Sequence, residues 1–414
     1  MIKKEDEIIL INIYGEDKPG VTSSLTAILA KFNAIILDIG QSVIHHSLSL
    51  GILIKLSKDT ASGDILKELL FKAYELKVEI NFVPISVNRY NEWMAQQGKD
   101  RHIITVLGRE ITAEQISKIA HGIAARGLNI DSIKRLTGRI PLDKKDILTS
   151  RACIELSIRG TIKNKDEISA IFMNLSGELG VDISFQQDNM YRRSRRLICF
   201  DMDSTLIKTE VIDELAERNG IGDKVKSITE SAMRGEIDFK ESFTQRVALL
   251  KGLDVNVMKE IAHNLPIMDG ADRLMSFLKK CGFKIAILSG GFTYFGNNLK
   301  KRFGIDYVYA NELEIEDGKL TGRYLGDIVD GKRKAELLQL IAQVENIDLE
   351  QVIAVGDGAN DLPMLNMAGL GIAFHAKPKV KENARQSIST IGLDGILYFL
   401  GFRDSHIDEE IELL

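Results

Sequence analysis

The sequence has little cysteine, proline and tryptophan, and it has no long apolar run. Its 414 residues include three cysteines, Cys153, Cys199 and Cys281, with six prolines and one tryptophan. So few and so widely spaced cysteines exclude a disulfide framework, and we expect buried free thiols in a reducing cytoplasm. No apolar stretch approaches the roughly 20 residues of a membrane span. The first residues, MIKKEDEIIL, also lack the apolar segment of a signal peptide.

The chain also lacks an excess of positive charge. Lysine and arginine number 54 against 59 aspartates and glutamates, for a net charge of −5. This balance argues against a protein that binds nucleic acid or an acidic membrane surface. The one local basic cluster comprises Arg192, Arg193, Arg195 and Arg196. We interpret it as a solvated linker, with an anion-binding site as the alternative.

What the first half does have is a pattern that occurs twice. In each copy, apolar strands and helices follow the order βαββαβ, over about residues 1–90 and again over 101–188. Val21, Leu25 and Ile28 illustrate the helical spacing in the first copy. Such units form a four-stranded antiparallel sheet with helices on one face. Exposed sheet edges could pair with another copy, so we expect a homodimer.

From about Leu197 the pattern becomes one of short apolar strands that alternate with helices. This pattern predicts a doubly wound α/β domain over residues 189–414, with a parallel sheet covered on both faces. Many more residues lie between its first two strands than a crossover needs, and we interpret 211–265 as an inserted helical cap. Asp317-Gly318 lies between two alternating segments and predicts a β-hairpin.

Polar side chains follow three of the predicted parallel strands. Active sites of doubly wound folds lie at the carboxyl ends of such strands, so these groups should meet. Clustered carboxylates call for a cation, and oxygen ligands without a nearby histidine or cysteine pair favour Mg²⁺. Serine hydroxyl, glycine N–H and lysine groups suit a phosphate, and together they indicate phosphoryl transfer. The residues are Asp201, Asp203, Ser289, Gly290, Gly291, Lys334, Asp357, Asn360 and Asp361.

This set resembles the haloacid dehalogenase superfamily of aspartate-nucleophile phosphatases. The resemblance lies in DMDST at 201–205, SGG at 289–291, Lys334 and GDGAND at 356–361. It implies that Asp201 attacks phosphorus and that Asp203 serves as proton donor and then as base. It also implies that Asp201, the carbonyl oxygen of Asp203, and Asp357 hold Mg²⁺. Asp361 would lie behind these ligands or reach the metal through water, and Asn360 would help to hold the site.

The predicted cap offers four candidates for substrate binding: Glu210, Met233, Phe239 and Arg246. An acid, a base and apolar walls suit a zwitterion, although each residue could equally belong to a helix end, the cap core or the surface. Segments such as MRGEIDFKESFTQRVALLKG and ANELEIEDGKLTG resemble the phosphoserine phosphatases, which implies O-phospho-L-serine as substrate. The sequence departs from that family at Asp269, which stands where proline is usual and which we expect to cap a helix.

Other functions remain open at this point. A related ester such as phosphohomoserine could be the substrate, or the phosphoryl group could pass to another alcohol. The chain could also be an amino-acid-sensing binding protein with a degenerate catalytic domain, although its set of aspartates and Lys334 is intact.

The repeated βαββαβ units resemble ACT domains, which bind amino acids in many biosynthetic enzymes. In the first unit Gly15, Asp17, Pro19 and Gly20 form a turn before a helix, where backbone N–H groups can hold a carboxylate. The second unit lacks this signal. The resemblance implies an amino-acid effector, L-serine being the favoured candidate, in the first unit. The alternative is that these domains only dimerise or tether.

Overall fold

The computed structural model describes residues 7–57, 62–96, 100–139, 150–234 and 236–408, and the side chain of Met233 lies outside the described part. The chain divides into two compact units between Lys99 and Asp100. In the described residues, no helix is both long enough and apolar enough to cross a membrane.

The first unit is a four-stranded antiparallel sheet in the order β2-β3-β1-β4. Its core forms between one face of the sheet, including Ile11 and Ile13, and the apolar side of helix α1, including Leu25 and Leu29. A last helix, α3, occupies part of the polar segment between the repeats, where the sequence pattern had predicted no element. The bounds are β1 Glu7–Glu16, α1 Val21–Lys31, β2 Ile35–Ile44, β3 Ser47–Leu56, α2 Ser62–Leu76, β4 Val78–Ile85 and α3 Val87–Ala95.

The second unit begins with another sheet of the same kind, in the order β6-β7-β5-β8. The repeated βαββαβ pattern predicted from the sequence is therefore confirmed. The bounds are β5 Arg101–Gly108, α4 Ala113–Ala124, β6 Asn129–Arg135, β7 Ala152–Arg159, α5 Lys165–Leu179, β8 Asp182–Gln187 and α6 Met190–Arg193.

A seven-stranded sheet follows in the order β12-β11-β10-β9-β13-β14-β15. Its strands pair in parallel, except for the antiparallel hairpin β11–β12 that turns at Asp317-Gly318. Both residues of that turn have positive φ, which an Asp-Gly pair tolerates. Four helices, α7 to α10, occupy the predicted cap insertion between β9 and α11. The bounds are β9 Leu197–Phe200, α7 Val211–Arg218, α8 Gly222–Met233, α9 Phe239–Leu249, α10 Val255–His263, α11 Ala271–Lys280, β10 Lys284–Phe292, α12 Thr293–Phe303, β11 Tyr307–Glu316, β12 Lys319–Leu325, α13 Gly331–Val344, β13 Val352–Gly356, α14 Leu362–Met367, β14 Leu370–Phe374, α15 Pro378–Asn383, β15 Ser387–Ile388, α16 Gly395–Phe399 and α17 Asp404–Asp408.

The sheet β5–β8 packs directly on the α/β domain. Leu107, Leu136 and Cys153 belong to the same apolar core as the α/β strands and helix α16. The buried carboxylate of Asp182 accepts hydrogen bonds from the backbone N–H groups of Ser389 and Thr390, at 2.8 and 3.0 Å. Apolar packing and buried hydrogen bonds thus join two sequence domains into one compact unit.

Three smaller expectations from the sequence are wrong. The basic cluster is not a solvated linker throughout, because Arg192 is buried and its Nη2 lies 2.6 Å from Glu155 Oε2. Cys281 is exposed, whereas the other two cysteines are buried free thiols as expected. Asp269 does not cap helix α11. Gly270 occupies that position, and the Asp269 side chain pairs with Lys208 at 2.7 Å.

Candidate active site

Strand β9 delivers two aspartates to the carboxyl edge of the seven-stranded sheet. All four residues of the strand are buried, and Asp201 continues its pairing with β13 by donating its N–H to the carbonyl of Val355 at 2.9 Å. The residues Asp201 and Asp203 are only 6 and 8% exposed. Burial of two carboxylates this close is unfavourable without nearby donors or cations, so their surroundings decide what they can do.

Lys334 supplies a positive charge to one of them. It lies in the first turn of α13 and is fully buried. Its Nζ lies 2.8 Å from Asp201 Oδ1 and 2.7 Å from Asp361 Oδ1. Burial alone lowers the pKa of Lys334, but the two carboxylates outweigh it, and the pKa is raised overall. The ammonium group therefore remains charged between Asp201 and Asp361.

Asp203 occupies a different environment from Asp201. Its Oδ1 accepts a hydrogen bond from Val211 N–H, the first residue of cap helix α7, at 3.0 Å. Burial, followed by the charges of Glu210 and Asp201, raises the pKa of Asp203 well above its usual value. A carboxyl group with a raised pKa can hold a proton near neutral pH and donate it. The two aspartates thus have different partners, Lys334 beside Asp201 and the Val211 N–H beside Asp203.

The segment Ser289–Gly291, called the phosphate loop below, lies beside these aspartates. A side chain on Gly291 would place its Cβ 2.4 Å from Asp203 Oδ2, so glycine is needed for this approach. Gly291 N–H donates to Ser289 Oγ at 2.9 Å, and Ser289 is fully buried. The structure therefore brings Asp203, Ser289 and the glycines together at one edge of the sheet, as the sequence predicted.

Asp357 and Asp361 complete a cluster with Asp201. One carboxylate oxygen from each of the three lies within 4.8 Å of the others. Burial, with the charges of Asp201 and its neighbours, raises the pKa of Asp357 to about 8 and that of Asp361 to about 6. Asp361 is already engaged, since its two oxygens accept from Lys334 and from Gly358 N–H. Asp201 and Asp357 are therefore the carboxylates best placed to hold a divalent cation.

Sequence reasoning did not give a role to two residues that support this cluster. Thr205 is fully buried and its hydroxyl donates to Asp357 Oδ1 at 3.3 Å. Asn311 is 2% exposed and its amide contacts the phosphate loop. Thr205 belongs to the DMDST motif, and Asn311 belongs to the segment ANELEIEDGKLTG, so both lie in stretches that carry the family resemblance although neither was given a role. Asn360, a predicted site residue, is half-buried in the short turn Ala359–Asp361 beside the cluster.

The cap covers the phosphate loop. Phe239, the first residue of α9, has its Cζ only 3.1 Å from where a Gly290 Cβ would stand. Glu210 precedes helix α7 and accepts a hydrogen bond from Ser204 Oγ at 2.9 Å. Ser204 has a φ of 56°, a left-handed conformation that bends the chain between the strand and the cap.

Glu210 and Arg246 of the cap both interact electrostatically with the aspartates of the site. Burial, then the charge of Asp201, raises the pKa of Glu210, and Arg246 acts in the opposite direction. Burial lowers the pKa of Arg246, while Glu210 and Asp213 oppose that shift. An acid and a base of the cap thus interact electrostatically with each other and with the aspartates at this edge of the sheet. Met233 ends helix α8, but its side chain lies outside the described part of the chain.

The turn predicted as an effector site borders a cavity of about 450 Å³ in the first unit. Asp17, Pro19 and Gly20 line it, together with Gln41 of β2 and the first turn of α1. Gly20 has a φ of 96°, which glycine adopts without strain, and it begins α1. Gly15 does not line the cavity, and a Cβ at this position would lie 2.7 Å from Val78 Cγ1. The geometry therefore groups three of the four predicted residues.

Three family models match this chain, and each matched segment corresponds to one of its three sheets. Residues 195–369 match the family model of haloacid dehalogenase-like hydrolases. Residues 7–83 and 100–186 each match a model of the ACT domain.

Individual relatives cover almost the whole chain. It is 38% identical over 401 residues to a phosphoserine phosphatase of Streptomyces coelicolor, covering 97% of this chain and 93% of that protein. A phosphoserine phosphatase of Mycobacterium tuberculosis is also 38% identical, over 97% of this chain and 94% of the relative. Among solved structures, a HAD family hydrolase from Salmonella enterica serovar Typhi is similar, with a TM-score of 0.61 and 32% identity over 72% of this chain and 98% of that one.

Proposed function

The chain belongs to the phosphoserine phosphatases of the haloacid dehalogenase superfamily, and we propose that it hydrolyses O-phospho-L-serine to L-serine and phosphate. The observation that carries this proposal is the position of the cap. Phe239 stands over the phosphate loop at Gly290, and Glu210 joins the same cap to the catalytic strand. A phosphate held by the loop would then present its ester group to Glu210 and Arg246.

These cap residues match the charges of serine. The carboxylate of Glu210 suits the ammonium group, and the guanidinium of Arg246 suits the carboxylate. Phe239 stacks toward Phe243, with ring centroids 6.3 Å apart, and Phe243 is buried against Phe292 of the core. This aromatic contact anchors the cap over the reacting groups, where it would exclude water. Met233 remains the fourth residue that the family resemblance implies for substrate binding.

The reaction would proceed in two steps. In the first, a carboxylate oxygen of Asp201 attacks phosphorus and forms a P–O bond as the bond to the serine oxygen breaks. Asp203 donates its proton to the leaving serine oxygen. In the second, Asp203 accepts a proton from water as that water attacks the aspartyl-phosphate, which releases phosphate and restores Asp201. Lys334 and the phosphate loop would stabilise the charge on the phosphoryl oxygens.

The donor set fits Mg²⁺. Asp201 and Asp357 offer carboxylate oxygens close together in a buried site, and the carbonyl oxygen of Asp203 is the third protein ligand we propose. Burial, followed by repulsion from Asp201, raises the pKa of Asp357, and a divalent cation would favour the charged carboxylates at this position. When bound, Mg²⁺ would neutralise charge between Asp201 and the phosphate. The free thiols Cys153 and Cys199 suit a reducing cytoplasm, where we place the enzyme.

The test is a phosphate-release screen over small phosphate esters in Mg²⁺, including phosphoserine and phosphohomoserine. We expect phosphoserine to give the highest kcat/KM, and Asp201→Asn to abolish turnover. A preference for phosphohomoserine would instead support the alternative substrate. Activity retained by Asp201→Asn would remove the proposed nucleophile, and no turnover of any ester would favour a binding protein.

The cap assignment is tested with Arg246→Ala. We expect KM for phosphoserine to rise by about tenfold or more, since a charged hydrogen bond is lost. Rates with p-nitrophenyl phosphate, which lacks a carboxylate, should change little. Gln245→Ala on the same helix is the matched control, because its side chain contacts Glu241 at the surface. Equal losses on both esters would place Arg246 in the fold of the cap rather than at the substrate.

We also propose that the first ACT domain binds L-serine in the cavity beside Asp17 and Gly20, and that the chain forms a homodimer. Thr22 and Gln41 both line that cavity, and the Thr22 hydroxyl donates to Gln41 Oε1 at 2.8 Å. We expect Thr22→Val to weaken the response of activity to L-serine and to leave the basal rate unchanged. An unchanged response would favour a tethering or dimerising role.

The dimer proposal rests on strand β2, which lies at the edge of its sheet. Ile36, Ile39 and Val43 on this strand are 43, 47 and 38% exposed, an apolar strip that a second copy could cover. Sedimentation velocity should give a dimer for the intact protein and a shift toward monomer for Ile39→Lys. A monomer for both the intact protein and Ile39→Lys would contradict the dimer proposal.

A further inference from the structure

We propose that Asn311 is a positioning residue that holds the phosphate loop in its working conformation. This inference rests on the proposed function, because it assigns a role in binding the phosphoryl group. Asn311 contacts the loop rather than the reacting atoms, so its influence would be exerted through Ser289, Gly290 and Gly291.

The loop needs an external support because the sheet does not provide one. Strands β10 and β11 pair in parallel from Ala286 to Leu288, and pairing resumes only at Phe292, opposite Asn311. The intervening residues form a bulge whose backbone is outside the ladder. Two glycines in that bulge permit the close approach of Asp203 and Phe239, but they also leave the backbone intrinsically free to move.

The amide of Asn311 supplies the missing hydrogen bonds. Its Nδ2 donates to the carbonyl of Gly290 at 2.8 Å and to that of Gly291 at 3.3 Å. Its Oδ1 accepts from Val329 N–H at 2.9 Å. With 2% exposure, the amide is shielded from water that could compete for these partners. One side chain thus makes three hydrogen bonds to two separate segments.

The second segment leads to the catalytic lysine. Val329 lies just before α13, whose first turn carries Lys334. The carbonyl of Val329 also lies 3.6 Å from the position that a Gly290 Cβ would take. Asn311 therefore holds the phosphate loop at a fixed position relative to the start of α13. The loop and Lys334 would contact the same phosphoryl group.

The contact also sets the direction of the Ser289 hydroxyl. The Gly290 carbonyl held by Asn311 belongs to the same peptide plane as Gly291 N–H, which donates to Ser289 Oγ at 2.9 Å. With that plane fixed, Ser289 Oγ is an acceptor toward the loop, and its single proton is directed elsewhere. A phosphate oxygen in the site is the acceptor that this arrangement prepares.

The test compares two ligands that occupy different parts of the site. Asn311→Leu keeps the branched outline of a somewhat larger side chain and removes the amide, and Asn311→Ser keeps one hydroxyl donor in a smaller side chain in case the leucine variant fails to fold. Thr293→Val is the control. It removes a hydrogen bond, 2.9 Å long, from the first residue of α12 to the carbonyl of Ala310, which is next to Asn311 in β11, and it leaves the loop contacts in place. Titration calorimetry gives the Kd of inorganic phosphate in Mg²⁺, and inhibition of turnover gives the Ki of L-serine.

We expect Asn311→Leu to raise the Kd of phosphate by about tenfold or more, because a misplaced loop loses its alignment. Asn311→Ser should show a smaller rise, and the Ki of L-serine should change less than twofold in both variants. Equal weakening of both ligands, or the same phosphate loss in Thr293→Val, would overturn the proposal. Phosphate binding needs no turnover, so wild-type protein that binds phosphate but does not cleave phosphoserine would contradict the proposed function alone.

Discussion

Lys334 Nζ lies 2.8 Å from Asp201 Oδ1, so the proposed nucleophile is held by a buried ammonium group. The same nitrogen contacts Asp361, and none of the three residues is more than 6% exposed. Removal of one member of such a set leaves uncompensated buried charge, which costs more than the pair contributes. We therefore expect the contact between Lys334 and Asp201 to affect the stability of the fold as well as the rate of the proposed reaction.

Lys334→Met should lower the free energy of unfolding by about 3 kcal/mol, since it leaves two buried carboxylates without their cation. It should also reduce kcat by at least about 100-fold, because stabilisation of the phosphoryl oxygens is lost. Urea unfolding in EDTA measures the first effect, and phosphate release in Mg²⁺ measures the second. Lys332→Met on the same helix is the control, because its side chain is 88% exposed. Similar behaviour of the two variants would contradict the role of Lys334.

The roles proposed for Asp201 as nucleophile and Asp203 as acid and base predict that the rate depends on the leaving group. Asp203→Asn retains an oxygen that can accept from Val211 N–H, so α7 should stay in place. With phosphoserine, kcat should fall by about 100-fold or more, because neither the alkoxide nor the attacking water is assisted. With p-nitrophenyl phosphate the first step needs no acid, so we expect a burst of nitrophenol and a phosphorylated Asp201 detected by mass spectrometry.

The exposed cap variant Asp223→Asn serves as the control for Asp203→Asn. It should behave like wild type with both esters. If Asp203→Asn lost both activities equally and no phosphorylated protein accumulated, Asp203 would not be the acid and base of the reaction.

The site was more predictable from the sequence than its supports were. Asp201 and Asp357 each follow an apolar strand, and Ser289 follows the apolar part of β10. Parallel strands bring their carboxyl ends to one edge whatever the detailed register. The role of Asn311 depends instead on where β11 resumes pairing with β10, which apolar periodicity does not specify. The apolar pattern of the sequence therefore predicts site residues whose position depends on the order of the strands. It does not predict a residue whose position depends on the register between two strands.

The same reason explains why the docking of the second ACT domain was not predicted. The partners of Asp182 lie more than 200 residues away in the sequence. Their pairing follows from the shape of two folded domains, whereas the fold of each domain follows from its own repeating pattern. Helix α3 was missed although Val87, Tyr90 and Trp93 recur at helical spacing and Ser86 caps its start, because polar residues dominate this short segment and none of its residues is buried.

Stability should depend on pH through Asp404, which joins the second ACT domain to the α/β domain. Its carboxylate accepts from Gly138 N–H and Tyr398 Oη, both at 2.6 Å, and from Arg273 at 3.2 Å. Burial raises the pKa of Asp404, but the hydrogen bonds from Tyr398, Gly138 and Arg273 outweigh it, and the pKa is lowered overall. The folded chain thus releases this proton at a lower pH than the unfolded chain.

The stabilisation from Asp404 is therefore present above its unfolded pKa, about 4, and is lost as pH falls through the lower folded pKa. Asp404→Asn should reduce the free energy of unfolding at pH 7, and the difference from wild type should shrink at pH 3. Urea titrations over this range measure it. Asp272→Asn, which breaks an exposed ion pair with Arg302, should show little effect at either pH. A difference that stays constant with pH would mean that the asparagine acts through packing.

The last prediction concerns where the chain can be shortened. A protein that begins at Asp100 keeps one compact unit intact. It should fold, hydrolyse phosphoserine and show only product inhibition by L-serine. A protein that begins at Arg192 loses Leu107 and Cys153 from the shared core, and it leaves Asp394 without its ion pair to Arg151.

We therefore expect the shorter protein to unfold at a lower temperature and to aggregate, because burying that apolar surface stabilises the α/β domain. Calorimetric melting and light scattering compare the two. Equal melting temperatures would mean that the α/β domain is stable alone and that the second ACT domain is only docked on it. A serine response that persists in the Asp100 protein at the intact level would place the effector outside the first ACT domain. Loss of the serine response in the Asp100 protein, with unchanged kcat, would place the effector site within the first ACT domain. The two truncations thus distinguish loss of effector binding from loss of stability in the catalytic unit.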